Sequence, residues 1–311
     1  MSEIILHHYA ESPFAEKTRL MFGSKGLAWR SVSIPVVMPK PDLLALTGGY
    51  RRTPVMQIGS DIYCDTALIG EVIERKVPAP ALFPPAQAAR ARLAARWADS
   101  ALFSAAVSYA MQPAGLARLF PDPSDVETLL EDRKPFLSGG SAQVLIPPGD
   151  AASVVIGAID WIETELGASG GAFIGGASSS ILDFSLYHGF WFIHQSGLLD
   201  GLLADRPYVA AWVERVRKIG HGKPQDMNAV EAIAVAASSS PVLPEPFDST
   251  GLDGLSPGDP VTVAATDYGV DPTSGRLVTA TRSSVVVARE DARAGKVHVH
   301  FPRMGFRISR S

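Results

Sequence analysis

Two proline-rich breaks divide this 311-residue chain into three stretches whose apolar residues repeat with different periods, so no single layer of one element type accommodates it. The first break is Val77-Pro78-Ala79-Pro80 with Phe83-Pro84-Pro85. The second starts at Ser238-Ser239-Ser240-Pro241 and runs through Pro244, Pro246, Gly251, Gly254 and Pro257-Gly258. Proline fixes its own φ and lacks an N–H donor, so neither a helix nor a central strand continues through such runs. The length exceeds the roughly 100–200 residues usual for one domain. The breaks predict residues 1–78, residues 86–237 and residues 260–311 as separate units, with 238–259 as a linker.

In the first stretch, the apolar, β-prone residues 4–9 lead into Glu11-Ser12-Pro13, after which Phe14, Leu20, Met21 and Phe22 fall at helical spacing. Residues 29–34 alternate as a strand, and 42–46 form a short helix stopped at Gly48-Gly49. Residues 54–58 and 62–64 flank the turn Gly59-Ser60-Asp61 as a hairpin, and Asp65-Thr66 opens a helix through Glu74. The order β-α-β-α-β-β-α predicts a small mixed sheet covered by helices.

The second stretch reads as all-α, with helical spacing in 86–112 and 154–166 and further helices near 124–137, 181–196, 207–219 and 226–237. The Gly- and Pro-rich residues 138–150 read as a loop. Ser180-Ile181-Leu182-Asp183 ahead of an apolar run is a capping-box signature and is assigned to structure. In the third stretch, β-branched runs at 261–263, 277–279, 285–287 and 297–301 predict a small antiparallel β-unit.

Charge and cysteine content narrow the function classes. The formal net charge is −4. Residues 260–311 hold 8 Lys and Arg against 4 Asp and Glu, a balance of +4, which leaves −8 for residues 1–259. No basic surface with interleaved aromatics calls for a nucleic-acid partner. No window approaches the ~18 consecutive apolar residues of a membrane span, and the short apolar run at the amino terminus lacks the shape of a signal peptide. Cys64 stands alone, which excludes an intramolecular disulfide and predicts a cytoplasmic protein. On its strand, Cys64 reads as a small buried core residue. His298 and His300 share a strand face, but no third ligand has suitable spacing. They read as solvated strand residues, and no metal is expected.

The segment with most chemical content is Ser12-Pro13-Phe14-Ala15-Glu16-Lys17-Thr18-Arg19-Leu20, directly after a strand. Ser12 suits an N-cap and Pro13 the first helical position. The same geometry also favours an anion, because orphan N–H groups and the positive end of the helix dipole face it. Together with Lys40-Pro41-Asp42, Arg52-Thr53-Pro54-Val55 and Asp65-Thr66, this segment resembles the cytosolic glutathione transferases. It is similar to the omega-class motif, with Ser12 in the place of the active-site cysteine. The resemblance is specific over residues 1–78 and one of pattern over 86–230. It implies a thioredoxin-like amino-terminal domain, an all-α transferase domain and a homodimer.

Carried over by position, the resemblance implies that Ser12 donates a hydrogen bond to the glutathione sulfur and stabilises the thiolate. Thr53 precedes Pro54, a cis proline in the family, and its backbone pairs with the cysteinyl part of glutathione. Asp65 and Thr66 take the γ-glutamyl end, Lys40 reaches the glycyl carboxylate, and Phe14 lines the boundary with the second substrate. Tyr9 offers an alternative hydroxyl. A serine cannot form the mixed disulfide of the omega enzymes, so addition or substitution on an electrophile is the expected chemistry. The electrophile is expected to be a hydrophobic small molecule held between the domains by the helix carrying Trp97, Phe103, Tyr109 and Met111. The expected function is a glutathione transferase-like enzyme with glutathione as co-substrate. The alternative is a non-catalytic transferase-fold regulatory protein that uses the β-unit for partner contacts.

Overall fold

The computed structural model describes residues 3–138, 146–242, 245–252 and 254–311. Residues 139–145 of the predicted 138–150 loop lie outside the described residues; of the rest, Ser138 ends one helix and Pro148 begins the next.

The first region follows the predicted order: β1 (Ile4–His8), α1 (Pro13–Ser24), β2 (Ala28–Ser33), α2 (Pro41–Thr47), β3 (Val55–Ile58), β4 (Asp61–Cys64) and α3 (Thr66–Lys76). β1 pairs in parallel with β2 and antiparallel with β3, and β3 pairs antiparallel with β4. This is the thioredoxin-like arrangement.

A helical region follows, comprising α4 (Ala88–Trp97), a π-helical turn (Ala98–Leu102), α5 (Phe103–Ala110), α6 (Pro113–Leu119), α7 (Pro123–Ser138), α8 (Pro148–Ser169), α9 (Ile181–Gln195), α10 (Leu199–Leu203) and α11 (Pro207–Arg217). α9 starts with the predicted capping box, in which the Ser180 N–H donates to Asp183 at 2.9 Å. Asp183 is fully buried and also accepts from the Trp212 indole at 2.9 Å and the Ile174 N–H at 2.9 Å. Its burial is thereby offset by several donors.

The chain then returns to the first region. β5 (Lys223–Asp226) adds in parallel to β2, and α12 (Ala229–Ala237) packs on α2, β2 and β9 rather than among the helices with which its sequence pattern groups it. An amphipathic stripe says that a helix must be covered, not by which neighbour. The remaining strands are β6 (Pro260–Ala265), β7 (Thr273–Ala280), β8 (Ser284–Asp291), β9 (Gly295–Pro302) and β10 (Phe306–Arg310). They pair antiparallel with one another, as expected, but they do not form a free-standing unit. β9 pairs in parallel with β4, Ile62 opposite Val299, so one ten-stranded sheet runs β10-β6-β7-β8-β9-β4-β3-β1-β2-β5.

Strand alternation sorts the side chains into two cores. Met56 and Tyr63 face α1, α3 and the helical region, whereas Val55, Ile62 and Cys64 face a core shared by α2, α12 and the extension, including Val287, Val299 and Phe301. Cys64 is buried there as a core residue, and burial pushes its thiol well above the ordinary range. Among the described residues, no helix is long and apolar enough to cross a membrane.

Candidate functional site

Ser12 caps α1 from an extended conformation, and its hydroxyl oxygen accepts the Ala15 N–H at 3.2 Å. That bond uses a lone pair and leaves the O–H proton available for donation. Ser12 is 2% exposed. The Tyr9 hydroxyl has the Ser12 side chain and Arg133 of α7 as neighbours, and burial raises the Tyr9 phenol above its ordinary value. The two hydroxyls that the sequence offers as alternatives therefore form one cluster, with a guanidinium beside them.

Lys40, also 2% exposed, donates to the Arg51 carbonyl at 3.4 Å and stands 5.5 Å from the centroid of the Tyr9 ring. Burial, reinforced by Arg133 and Arg51, brings its ammonium down to about 8. Asp132 of α7 holds this corner together. It accepts the Met38 N–H at 3.0 Å, pairs with Arg51, and lies 3.0 Å from Arg133. The Thr53–Pro54 bond is cis, and the Thr53 hydroxyl is buried without a hydrogen-bond partner among the described residues.

Asp65 caps α3 with φ 77°, and no other non-glycine among the described residues has a positive φ. Its carboxylate accepts the Ala67 N–H at 2.8 Å, and burial raises its pKa against the pull of that bond and of Lys17. Such a backbone costs about 1–3 kcal/mol and persists where surrounding contacts enforce it. Thr66 accepts from the Lys17 ammonium at 3.3 Å, and Lys17, fully buried, pairs with Asp99 of the π-helical turn at 2.6 Å. π-helical insertions often occur at functional sites; this one carries an acid from the helical region onto α1.

Phe14 meets two rings from the helical region, Phe103 at 4.6 Å and His188 at 4.7 Å, and those two stack at 5.0 Å. Burial lowers His188 to about 4, so it is neutral at pH 7, and neither ring nitrogen has a hydrogen-bond partner among the described residues. Phe103 thus fills the place against Phe14. Tyr109 packs against the larger core instead, and Met111 follows the end of α5. A recess of about 540 Å³ beside Asp132 is lined by Val37, Met38, Glu127, Thr128 and Glu131, and Ser12 does not line it.

Residues 6–81 match the family described as glutathione S-transferase, N-terminal domain. A GST-like protein from Pseudomonas syringae is 41% identical, covers 100% of both chains, and superposes with a TM-score of 0.83. The chain belongs to the glutathione S-transferase family. A glutathione S-transferase from Rhodospirillum rubrum is 18% identical, over 69% of this chain and 87% of that one, with a TM-score of 0.53. FzlA from C. crescentus is 20% identical, over 69% and 88%, with a TM-score of 0.51. These two share the fold alone. No match was found among curated proteins.

Within this transferase-family fold, sequence reasoning missed Lys17, Asp99, His188 and Arg133. Lys17 lies inside the quoted α1 segment, but its partner enters through the π-helical turn, which has no local sequence signature. His298 and His300 are not solvated. His298 is buried, and His300 lies 2.7 Å from Asp61 and stacks on Tyr63 at 4.5 Å, because the β4–β9 pairing encloses both. Among the described residues, no group of three or more His, Cys, Asp or Glu could hold a metal ion.

Proposed function

We propose that the protein binds reduced glutathione and uses Ser12 to stabilise its thiolate for attack on an apolar electrophile. The observation that carries this reading is the Ser12 hydroxyl. It is nearly fully buried at the positive end of α1, its oxygen accepts the Ala15 N–H, and its proton, which neighbours Tyr9, can turn to a bound sulfur. The thiol proton passes to water, the sulfur–carbon bond forms, and the electrophile's leaving group departs with its electron pair. Tyr9 and Arg133 lie beside the hydroxyl and add positive potential where the sulfur charge develops. Lys40, the Thr53 backbone and Asp65-Thr66 bind the tripeptide, while Phe14 and Phe103 present an apolar wall to the electrophile. The protein acts in the cytoplasm as a homodimer.

Calorimetric titration with reduced glutathione tests binding, and saturable one-per-subunit binding is expected. A hydrogen bond to a charged group contributes about 1.5–3 kcal/mol, so Ser12→Ala should lower conjugation of a model electrophile about 10- to 100-fold while glutathione affinity changes little. Ser12→Asp keeps the cap and places a negative charge beside the sulfur. Wild-type turnover from a folded Ser12→Asp protein would remove Ser12 as the activating group.

A further inference from the structure

The carboxyl-terminal extension reaches the candidate site through one loop. Residues 266–272 connect β6 to β7 and lie against residues 47–52, the segment that leads into Thr53–Pro54. The Thr273 hydroxyl accepts the Tyr50 N–H at 3.3 Å and donates to the Thr47 carbonyl at 3.0 Å. A Cβ on Gly49 would lie 2.0 Å from the Pro272 carbonyl oxygen, so the close approach requires glycine. Asp267 pairs with Arg52 at 2.6 Å, and the Arg52 guanidinium lies 5.6 Å from the Tyr268 ring and 6.0 Å from that of Phe306. On the Tyr268 ring a second guanidinium, that of Arg133, lies at 5.8 Å. Arg133 in turn neighbours the Tyr9 phenol beside Ser12, and both act on the Tyr268 phenol as nearby charges.

The loop is therefore held against the first region, and its aromatic ring lies near one cation from that region and one from the helical region. Lys40, Arg51, Arg52 and Arg133 gather here around Asp132 and Asp267. Such a concentration of cations suits a carboxylate ligand. Ser12 and Lys40 are almost completely covered at this corner, and Tyr268 brings an aromatic ring to its two arginines from a part of the chain far away in sequence.

We propose that Tyr268 is a wall of the glutathione site, holding Arg133 and Arg52 toward the glycyl carboxylate, so that the extension completes the site within the same chain. The inference rests on the glutathione reading and extends it to a residue outside the thioredoxin-like and helical regions. Tyr268 is a positioning residue: its ring face orients the two guanidiniums, and they meet the carboxylate.

Calorimetry on the full-length protein with two ligands, glutathione and its glycyl monoethyl ester, tests the proposal. Tyr268→Phe keeps the ring face and should bind glutathione within about 3-fold of wild type, whereas Tyr268→Ala should weaken it about 10-fold. The ester lacks the charge the guanidiniums meet, so Tyr268→Ala should change ester affinity less than 3-fold. An equal loss for both ligands would mean general damage and would overturn the assignment, as would a folded Tyr268→Ala protein that binds glutathione like wild type. In that last case the glutathione reading survives. Failure of wild type itself to bind glutathione would overturn both. Arg133→Gln, which removes one of the two guanidiniums and keeps Tyr268, should reproduce the ligand-selective loss. If it weakens glutathione and ester alike, the carboxylate contact is wrong.

Discussion

The thioredoxin-like region makes two large contacts of opposite character. Its contact with the helical region is made by side chains: the Lys17–Asp99 pair, the Phe14–Phe103–His188 rings, and, from the helical side, polar atoms on Asp99 and His188 that lack hydrogen-bond partners among the described residues. Toward the extension it offers a backbone ladder, β4 on β9, with a closely packed core of Ile62, Val287, Val299 and Phe301 behind it. Side-chain contacts depend on individual groups and can re-pair, whereas a ladder is continuous and fixes register. The candidate site lies against both contacts. The side-chain contact meets the expected electrophile wall, and the rigid one anchors the segment before Thr53.

The comparison predicts unequal sensitivity to single changes. Asp99→Asn leaves the Lys17 ammonium buried without its charge partner and should cost about 3–5 kcal/mol in a denaturant melt. The double change Lys17→Met with Asp99→Leu should recover most of that. Failure of the double variant to do so would mean that the contact relies on more than the pair.

Acid should act on the same side-chain contact. His188 is lowered to about 4 by burial, against about 6.5 in the unfolded chain. The unfolded chain therefore binds the extra proton first, and stability is lost as pH falls from about 6.5 toward 4, by up to roughly 3 kcal/mol. His188→Phe, packed between Phe14 and Phe103, should flatten this part of the profile. His7, also lowered to about 4 by burial, remains to give a residual slope.

Along the ladder, a side-chain deletion should matter less. His300→Ala removes a donor from buried Asp61 but leaves the backbone bonds in place, at an expected cost of about 1–3 kcal/mol by chemical denaturation. A loss as large as that of Asp99→Asn would end the distinction between the two contacts.

The smallest expected effect is on binding. The Lys40 ammonium loses its charge as pH rises through about 8, so glutathione affinity should decline several-fold above that point, shifted upward by the bound carboxylate. Lys40→Arg should decline less steeply than wild type between pH 8 and pH 10 in the same calorimetric titrations, the remaining slope being that of glutathione's own thiol and amine.

These contrasts follow what the sequence could express. The first seven elements were legible because their apolar periods and the turn or cap residues between them are local, as with Ser12-Pro13 opening α1. Ser12, Lys40, Thr53 and Asp65 were legible as short motifs. Arg133 and Tyr268 were not, because a residue on an unremarkable helix and one in a turn acquire meaning only when strands far apart in sequence pair. The ladder itself was invisible for the same reason. The strand runs of the extension predict antiparallel neighbours, which they have, but nothing local in 297–301 specifies Ile62 as the parallel partner of Val299.

The placement of β9 on β4 also has a consequence for how the chain is made. More than two hundred residues separate the two strands. At about 5–20 residues per second, the ribosome needs roughly 10–50 seconds between delivering one and the other. During that interval the outer edge of β4 is an open row of donors and acceptors beside bare Ile62 and Cys64, the kind of surface that nascent chains share with one another. Shielding during synthesis, or a slow approach to the full yield of active protein, is therefore built into the order in which these strands are translated.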